Sequence, residues 1–114
     1  MSAASIPVLT LSVKATAALT ANRFVTGGGA VATAAGRAIG VANTDAAIGA
    51  FAPVDVLGMT VVTAGAAIAA EALIEVGTAG KAVTKSAGVV VGRLAPGAVA
   101  AADGDLIEVI LIPN

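Results

Sequence analysis

The β-branched residues of this chain come in short runs, and these runs limit what it can fold into. Valine, isoleucine and threonine cluster in stretches of about four to eight residues bounded by Gly, Asn, Asp or Pro, a pattern typical of short β-strands between turns. The sequence therefore predicts an all-β fold. The predicted strands are Val8 to Val13, Arg23 to Thr26, Ala30 to Thr33, Ala38 to Ala42, Val54 to Val62, Leu73 to Val76, Lys81 to Thr84, Val89 to Leu94 and Leu106 to Ile112.

Two glycine-rich segments, 26–30 and 77–81, separate predicted strands. Glycine adopts the positive φ that a tight reversal needs, so both segments are predicted to be hairpin turns, with Gly28 and Gly80 near their tips. The alanine-rich segment 64–72 is ambiguous, because alanine is the best helix former. An internal repeat argues against a long helix there.

The repeat relates the two halves of the chain. Residues 19–25 have apolar positions in the same places as residues 68–74, and the similarity continues after each glycine turn. The further matches are 30–33 with 82–85, 39–42 with 91–94, and 54–57 with 107–110. One unit of short strands used twice predicts a small single-domain β-barrel or sandwich with pseudo-repeated halves.

The composition excludes most catalytic and metal-binding chemistry. The chain has no Cys, His, Trp or Tyr, so it lacks the usual transition-metal ligands, thiol and imidazole mechanisms, and most aromatic stacking platforms. With 6 basic and 7 acidic residues, the net charge of -1 offers neither the basic excess typical of nucleic-acid binding nor the charge density of a disordered chain. We therefore expect no catalytic residue, no cofactor, no small-molecule substrate and no nucleic-acid partner.

Two local motifs have chemical interpretations that their context does not support. Residues 27–32 fit the G-x-G-x-x-A dinucleotide fingerprint, but that fingerprint requires a following helix, and here the pattern predicts a strand. Segment 103–108 carries three carboxylates that could bind calcium, but Leu106 and Ile107 stand where further ligands belong. We expect turns at both places and no metal site.

The high mean hydropathy of +1.01 would suit a membrane protein, but the longest uncharged stretch is too short for a span. Val56 to Ala70 covers roughly 15 residues and is interrupted by Gly58 and Gly65, whereas a spanning helix needs about 20 apolar residues. The N-terminus lacks the basic region and continuous apolar core of a signal peptide. The sequence predicts synthesis in the cytoplasm and no membrane partner.

Few charges are available to cover the surface of such a chain. A globule of 10.7 kDa exposes roughly 5,500 Å², so much of its outside is predicted to be apolar and to form interfaces. The dispersed basic residues are either solvated decoration or contacts with an acidic protein partner. Asp45 and Asp55 are isolated carboxylates, for which we expect turn hydrogen bonds or a surface salt bridge.

The N-terminal segment, residues 1–13, has its own character. Pro7 comes early and is followed by the apolar residues Val8, Leu9, Leu11 and Val13. This segment is predicted to be either an extended arm that pairs with a neighbour's sheet edge or an edge strand of its own sheet. Residues 14–114 are predicted to form the barrel-like domain.

Several phrases of the sequence resemble a known family. The phrase Ile-Gly-Val-Ala-Asn-Thr-Asp-Ala-Ala at 39–47, the glycine hairpins, and the ending Gly-Asp-Leu-Ile-Glu-Val at 104–109 are similar to the capsid decoration, or cement, proteins of tailed bacteriophages and prophages. The resemblance extends from about Ile6 to the C-terminus.

The resemblance implies a structural virion protein made in the host cytoplasm. Such a protein binds the outer surface of a preformed phage head and stabilises it by bridging major capsid protein subunits. It also implies a homo-oligomer, with a trimer favoured and a dimer possible. The expected contact residues are Val8, Leu9, Leu11 and Val13 of the N-terminal segment and the turn tips at Gly28 and Gly80. The alternatives are another multimeric module, such as a tail or baseplate barrel or a bacterial shell component, and a small ligand-binding β-barrel.

Overall fold

The computed structural model describes residues 5–100 and 102–114, and within these ranges the regular structure is β apart from one 3₁₀ turn at Thr78–Gly80. Antiparallel strands form one sheet that curves into a nearly closed barrel in the order β2-β3-β4-β8-β7-β5-β6, and β1 pairs with β4 outside this path. The predicted all-β barrel is confirmed. The strands are β1 (Ile6–Lys14), β2 (Phe24–Val25), β3 (Gly40–Ala42), β4 (Phe51–Thr63), β5 (Leu73–Val76), β6 (Ala82–Thr84), β7 (Gly92–Leu94) and β8 (Leu106–Leu111).

The predicted strand at 30–33 is wrong, whereas the other predictions overlap observed strands. Val31 makes a single bridge to Val25, and the chain then turns, with the Gly36 amide donating to the Thr33 carbonyl. The Ala35 amide donates to the carbonyl of Val76 at 2.8 Å. The segment crosses towards β5 instead of extending along β2.

Both predicted glycine turns are present. The Thr26 amide donates to the Ala30 carbonyl at 2.8 Å, and the Gly77 amide donates to the Lys81 carbonyl at 2.7 Å. Gly29 and Gly80 have φ of 89° and 74°, the left-handed conformation that favours glycine. The alanine-rich segment 64–72 contains no helix, as the repeat predicted.

Two clusters of buried side chains lie inside the sheet. The main core fills the barrel and the second core lies under the start of β4. The main core includes Phe24, Val41, Val62, Ile68, Ile74, Val76, Leu94, Ile107 and Val109, and the second core consists of Ala15, Leu19, Val25, Ala42, Ala52 and Val54. Most of these side chains are small, and the exposed surface is 5406 Å², close to the area expected from the mass.

The internal repeat is present in the strand register. Phe24 and Val25 of β2 pair with Val41 and Gly40 of β3, just as the equivalent residues of β5 and β7 pair in the second half. The equivalent bridges outside the strands also match, since Leu19 pairs with Ala46 in the first half and the second half forms the same bridge. The second-half pairs are Leu73 with Arg93, Ile74 with Gly92, and Ile68 with Ala100.

The repeat has one feature that the sequence comparison missed: β4 belongs to both halves. The start of β4 pairs with β1, where Phe51 lies opposite Lys14. The end of β4 pairs with β8 in the equivalent way, where Thr63 lies opposite Leu106. The first half therefore consists of β1, β2, β3 and the start of β4, and the second consists of the end of β4, β5, β7 and β8. The predicted match of 54–57 with 107–110 is corrected by two residues, since Val54 corresponds to Val109.

The strand β4 bends sharply at Gly58. Five residues of extended strand span about 16 Å, yet the side chains of Asp55 and Thr60 are hydrogen-bonded at 2.9 Å. Gly58 has φ of 96°, and a Cβ there would lie 2.7 Å from both the Ile6 carbonyl oxygen and the Val8 amide nitrogen. The bend thus requires glycine both for its backbone conformation and for the close approach of β1.

Candidate interaction surface

The strand β1 presents apolar side chains to solvent along most of its length. The exposed fraction is 65% for Ile6, 78% for Val8, 41% for Leu9 and 39% for Leu11. One edge of β1 pairs with β4, and no second strand pairs with β1 in the described part of the chain. These four residues, with the free backbone edge of β1, form what we term the β1 surface.

The predicted contact residues of the N-terminal segment fall into two groups. Val8, Leu9 and Leu11 are exposed on the β1 surface, whereas Val13 is partly buried and packs against the second core. In this chain the segment from Ile6 to Lys14 pairs with β4 at the edge of the sheet. Residues 1–4 lie outside the described residues.

The two turn tips differ in accessibility. Gly28 is exposed, and a Cβ there would make only an ordinary contact at 3.7 Å. Gly80 is buried. A Cβ at this position would lie 2.6 Å from Val31 Cγ1 and 2.9 Å from the Phe24 carbonyl oxygen, so the site has no room for a side chain. Gly80 is therefore packed against the β2 region, and Thr78 and Ala79 are the exposed residues of that turn.

A fully buried carboxylate lies between β1 and β4, where the sequence predicted a surface residue. Asp55 has no exposed surface, and its oxygens accept three hydrogen bonds of 2.9 Å from neutral side chains. The donors are Thr10 Oγ1 on β1, Asn43 Nδ2 after β3, and Thr60 Oγ1 beyond the bend of β4. Because a buried carboxylate is costly unless it is hydrogen-bonded, these donors make its burial possible. The expectation of a turn bond or surface salt bridge is wrong for Asp55.

The corresponding place in the second half of the repeat is apolar. The equivalents are Met59 for Thr10, Ala95 for Asn43 and Ile110 for Asp55. The fold of one unit can therefore be completed without a carboxylate. A signal for this site was present in the sequence, since Asp55 is the acidic residue inside an otherwise uncharged predicted strand.

Two other acidic side chains have local structural partners. Glu75 accepts hydrogen bonds from the backbone amides of Ser86 and Gly88, and these bonds hold the pKa of Glu75 below its ordinary value of 4.5. Lys81 Nζ lies 2.8 Å from Asp103 Oδ1, and this ion pair lowers the pKa of Asp103. The first contact holds segment 86–88 against β5, and the second holds the turn at Asp103 against Lys81, next to β6.

The described residues contain no group of three or more acidic, His or Cys side chains that could hold a metal ion. In the segment considered for calcium, Asp103 is paired with Lys81, and Asp105 accepts from the Ala102 amide at 3.1 Å to close a turn. The segment that fits the dinucleotide fingerprint is a hairpin turn without a following helix. None of the helical structure in the described ranges is long and apolar enough to cross a membrane.

The barrel interior is occupied by side chains of the main core, including Phe24, Ile74 and Leu94. An open surface cavity of about 370 Å³ lies outside it, beside Glu71 and Arg93. Small barrels of the lipocalin or streptavidin type hold their ligand in the lumen. The arrangement therefore favours protein contacts at the β1 surface over a ligand site inside the barrel.

Comparison with known proteins agrees with this description. The fold is similar to the crystal structure of the N base of head fiber gp8.5 in bacteriophage phi29, with a TM-score of 0.72, 21% sequence identity, and coverage of 91% of this chain and 93% of that chain. No curated protein matches the sequence. The family model for phage cement proteins matches residues 4–111. Since this match spans nearly the whole chain, the chain belongs to the phage cement protein family and is a phage structural protein.

Proposed function

We propose that this protein is a capsid cement protein that binds the outer surface of a phage head and bridges major capsid protein subunits, without catalysing a reaction. The observation that carries the proposal is the β1 surface, an apolar edge strand that a small protein with few charges leaves exposed. Large exposed apolar patches mark interaction sites. Membership of the cement family supports a phage head as the partner.

The contact is assigned to Val8, Leu9 and Leu11. An extended segment of a capsid subunit can add to the free edge of β1, so that main-chain hydrogen bonds supply affinity and alternate side chains supply specificity. Val13 packs inward and supports β1 from below. The exposed turn at Gly28 provides a second contact, whereas the tip of the other turn contributes through Ala79 because Gly80 is buried.

The protein is made in the host cytoplasm and joins the head as a homo-oligomer, with a trimer favoured over a dimer. Several copies of the β1 surface on one oligomer would reach several capsid subunits at once. Such multivalency raises the overall affinity without any new contact. Repeated binding across a shell therefore stabilises it even if each contact is small.

Co-sedimentation with heads that lack the protein tests this proposal. Val8→Asp places a charge on the β1 surface, and a charge that becomes buried on binding carries a desolvation cost. We expect this variant to fold normally and to bind heads at least about tenfold more weakly, equivalent to ~1.4 kcal/mol. The matched control is Ile48→Asp, because Ile48 is similarly exposed at 73% but lies outside β1.

The outcomes are distinct. Binding lost in Val8→Asp and kept in Ile48→Asp supports the assignment. Wild-type protein that does not sediment with heads contradicts a cement function and favours a tail or baseplate location. Loss in Ile48→Asp alone places the contact on the loop before β4 and contradicts the β1 assignment.

A further inference from the structure

The sequence of β1 does not by itself specify how this strand lies on β4. A strand register is fixed when one face is buried, because a slip then exposes the apolar set. In the N-terminal half of β1, Ile6, Val8 and Leu9 are all exposed, so a slip or detachment of this half of the strand exposes little new apolar surface of these side chains. Another interaction has to hold the N-terminal half of β1 in place.

The C-terminal end of β1 is already anchored by its neighbours. The Ala15 amide donates to the Ala50 carbonyl, and the Gly49 amide donates to the Ala15 carbonyl, each at 2.8 Å. Pairing is regular from Lys14 back to Thr10, and irregularities follow between Thr10 and Leu9 and between Leu9 and Pro7. Thr10 opposite Asp55 is thus the last regular pair before the strand becomes irregular.

The buried carboxylate of Asp55 lies opposite Thr10, where the regular pairing of β1 with β4 ends. Its bond from Thr10 Oγ1 ties β1 to a network that also joins Asn43 and Thr60. In the second half of the repeat, the strand equivalent to β1 is the end of β4, which the chain itself connects to the barrel. There, the apolar residues Met59 and Ile110 take the places of Thr10 and Asp55, and the strand is held without a buried carboxylate. The hydrogen bond between Thr10 and Asp55 is therefore required for holding β1 in particular.

We propose that Asp55 is a positioning residue that pins β1 through Thr10 and holds Ile6 to Leu9 against the bend of β4, where they form the contact surface. This inference rests on the proposed function only for the use of that surface; the pinning itself is a property of the isolated protein. In coiled coils, a single buried polar residue fixes the register at some cost in stability. Here the register that is fixed belongs to the exposed strand.

Disulfide cross-linking of the isolated protein tests the pinning directly, because the chain has no cysteine of its own. Directly opposite residues of antiparallel strands lie within the range that a disulfide can bridge. The reporter pair is Ile6→Cys with Met59→Cys, at the far end of β1. The control pair is Lys14→Cys with Phe51→Cys, at the anchored end.

Each pair is introduced into the full chain with Thr10 as it is, with Thr10→Val, and with Thr10→Ser. Valine matches the shape of threonine but leaves the carboxylate without its β1 donor, whereas serine keeps the hydroxyl. We expect Thr10→Val to slow cross-linking of the reporter pair about tenfold and to leave the control pair unchanged. Serine is expected to restore the reporter pair. The tenfold loss corresponds to ~1.4 kcal/mol, within the usual net contribution of one intramolecular hydrogen bond.

Two results overturn the proposal. If Thr10→Val leaves the reporter pair as fast as before, the bond does not pin β1. If both pairs change together, or serine does not rescue, Thr10 and Asp55 serve general stability. Because no phage heads are present, either result leaves the proposed function standing, and a failure of Val8→Asp to affect head binding leaves the pinning standing.

Discussion

At the scale of single residues, the close approach of strands is decided by glycines that the repeat places at equivalent positions. A Cβ on Gly40 would lie 2.0 Å from the Asp55 carbonyl oxygen, and a Cβ on Gly92 would lie 2.5 Å from Val109 Cγ1. Gly40 lets β3 lie against β4 in the first half, and Gly92 lets β7 lie against β8 in the second half. The sequence comparison aligned these two glycines correctly, because the pattern around them is the same.

Alanine at Gly40 is therefore expected to destabilise the fold. Backbone atoms obstruct the added methyl group and have no flexible end that could move, so we expect a loss of about 3 kcal/mol in the free energy of unfolding. Gly28→Ala is the control, with a change below about 0.5 kcal/mol because the site is open. Urea denaturation measures both, and equal midpoints for the two variants would contradict the assignment.

Glu75 predicts how stability depends on pH. The backbone amides of Ser86 and then Gly88 lower the pKa of Glu75 in the folded state, so the unfolded chain binds more protons as the pH falls below 4.5. The stabilisation is complete above the unfolded pKa and is lost as the pH falls through the folded pKa. Glu75→Gln has no charge to lose there. We expect its melting temperature to fall less than that of the wild type between about pH 6 and about pH 3, and parallel curves would refute this.

Asp55 shows where residue-level prediction from the sequence stops. Its spacing to Thr10, Asn43 and Thr60 follows no local motif, because the donors come from different strands and from the far side of a bend. The bend depends on Gly58, whose only signal in the sequence is that it interrupts an apolar stretch. Local strand pattern was therefore readable, whereas the polar network that forms on folding was not.

At the scale of elements, β1 combines two roles that divide at Thr10. The part from Thr10 to Lys14 pairs regularly and covers the second core, while Ile6 to Leu9 extends over the bend and is mainly exposed. The sequence predicted the strand and its apolar character. It left the choice between arm and edge strand open, since both present the same alternating residues.

Truncation separates the two roles. Deleting residues 1–9 keeps all three donors of Asp55 and is expected to leave a folded barrel with a melting temperature within a few degrees of the full chain. We expect the same deletion to abolish binding to heads, because the most exposed part of the β1 surface is removed. Deleting residues 1–5 keeps β1 whole and is the matched control. Undiminished binding after the longer deletion would contradict the role of Ile6 to Leu9.

At the scale of the whole molecule, few charges cover an exposed area of 5406 Å². We expect the purified protein to associate, with light scattering giving the mass of three chains of 10.7 kDa over a hundredfold dilution. A monomer mass throughout that range would rule out a stable free oligomer. The effect of Val8→Asp on this mass would show whether the β1 surface also joins the copies.

The double membership of β4 has a consequence for how the protein unfolds, because one continuous strand runs through both halves. The main core also contains side chains of both halves, including Phe24 and Val41 from the first and Ile74 and Val109 from the second, so neither half keeps that core if the other opens. We therefore expect the two halves to unfold together, as one cooperative unit. In the proposed role on a phage head, we expect such a barrel to resist load as a single unit, with no partly opened state in which one half holds alone.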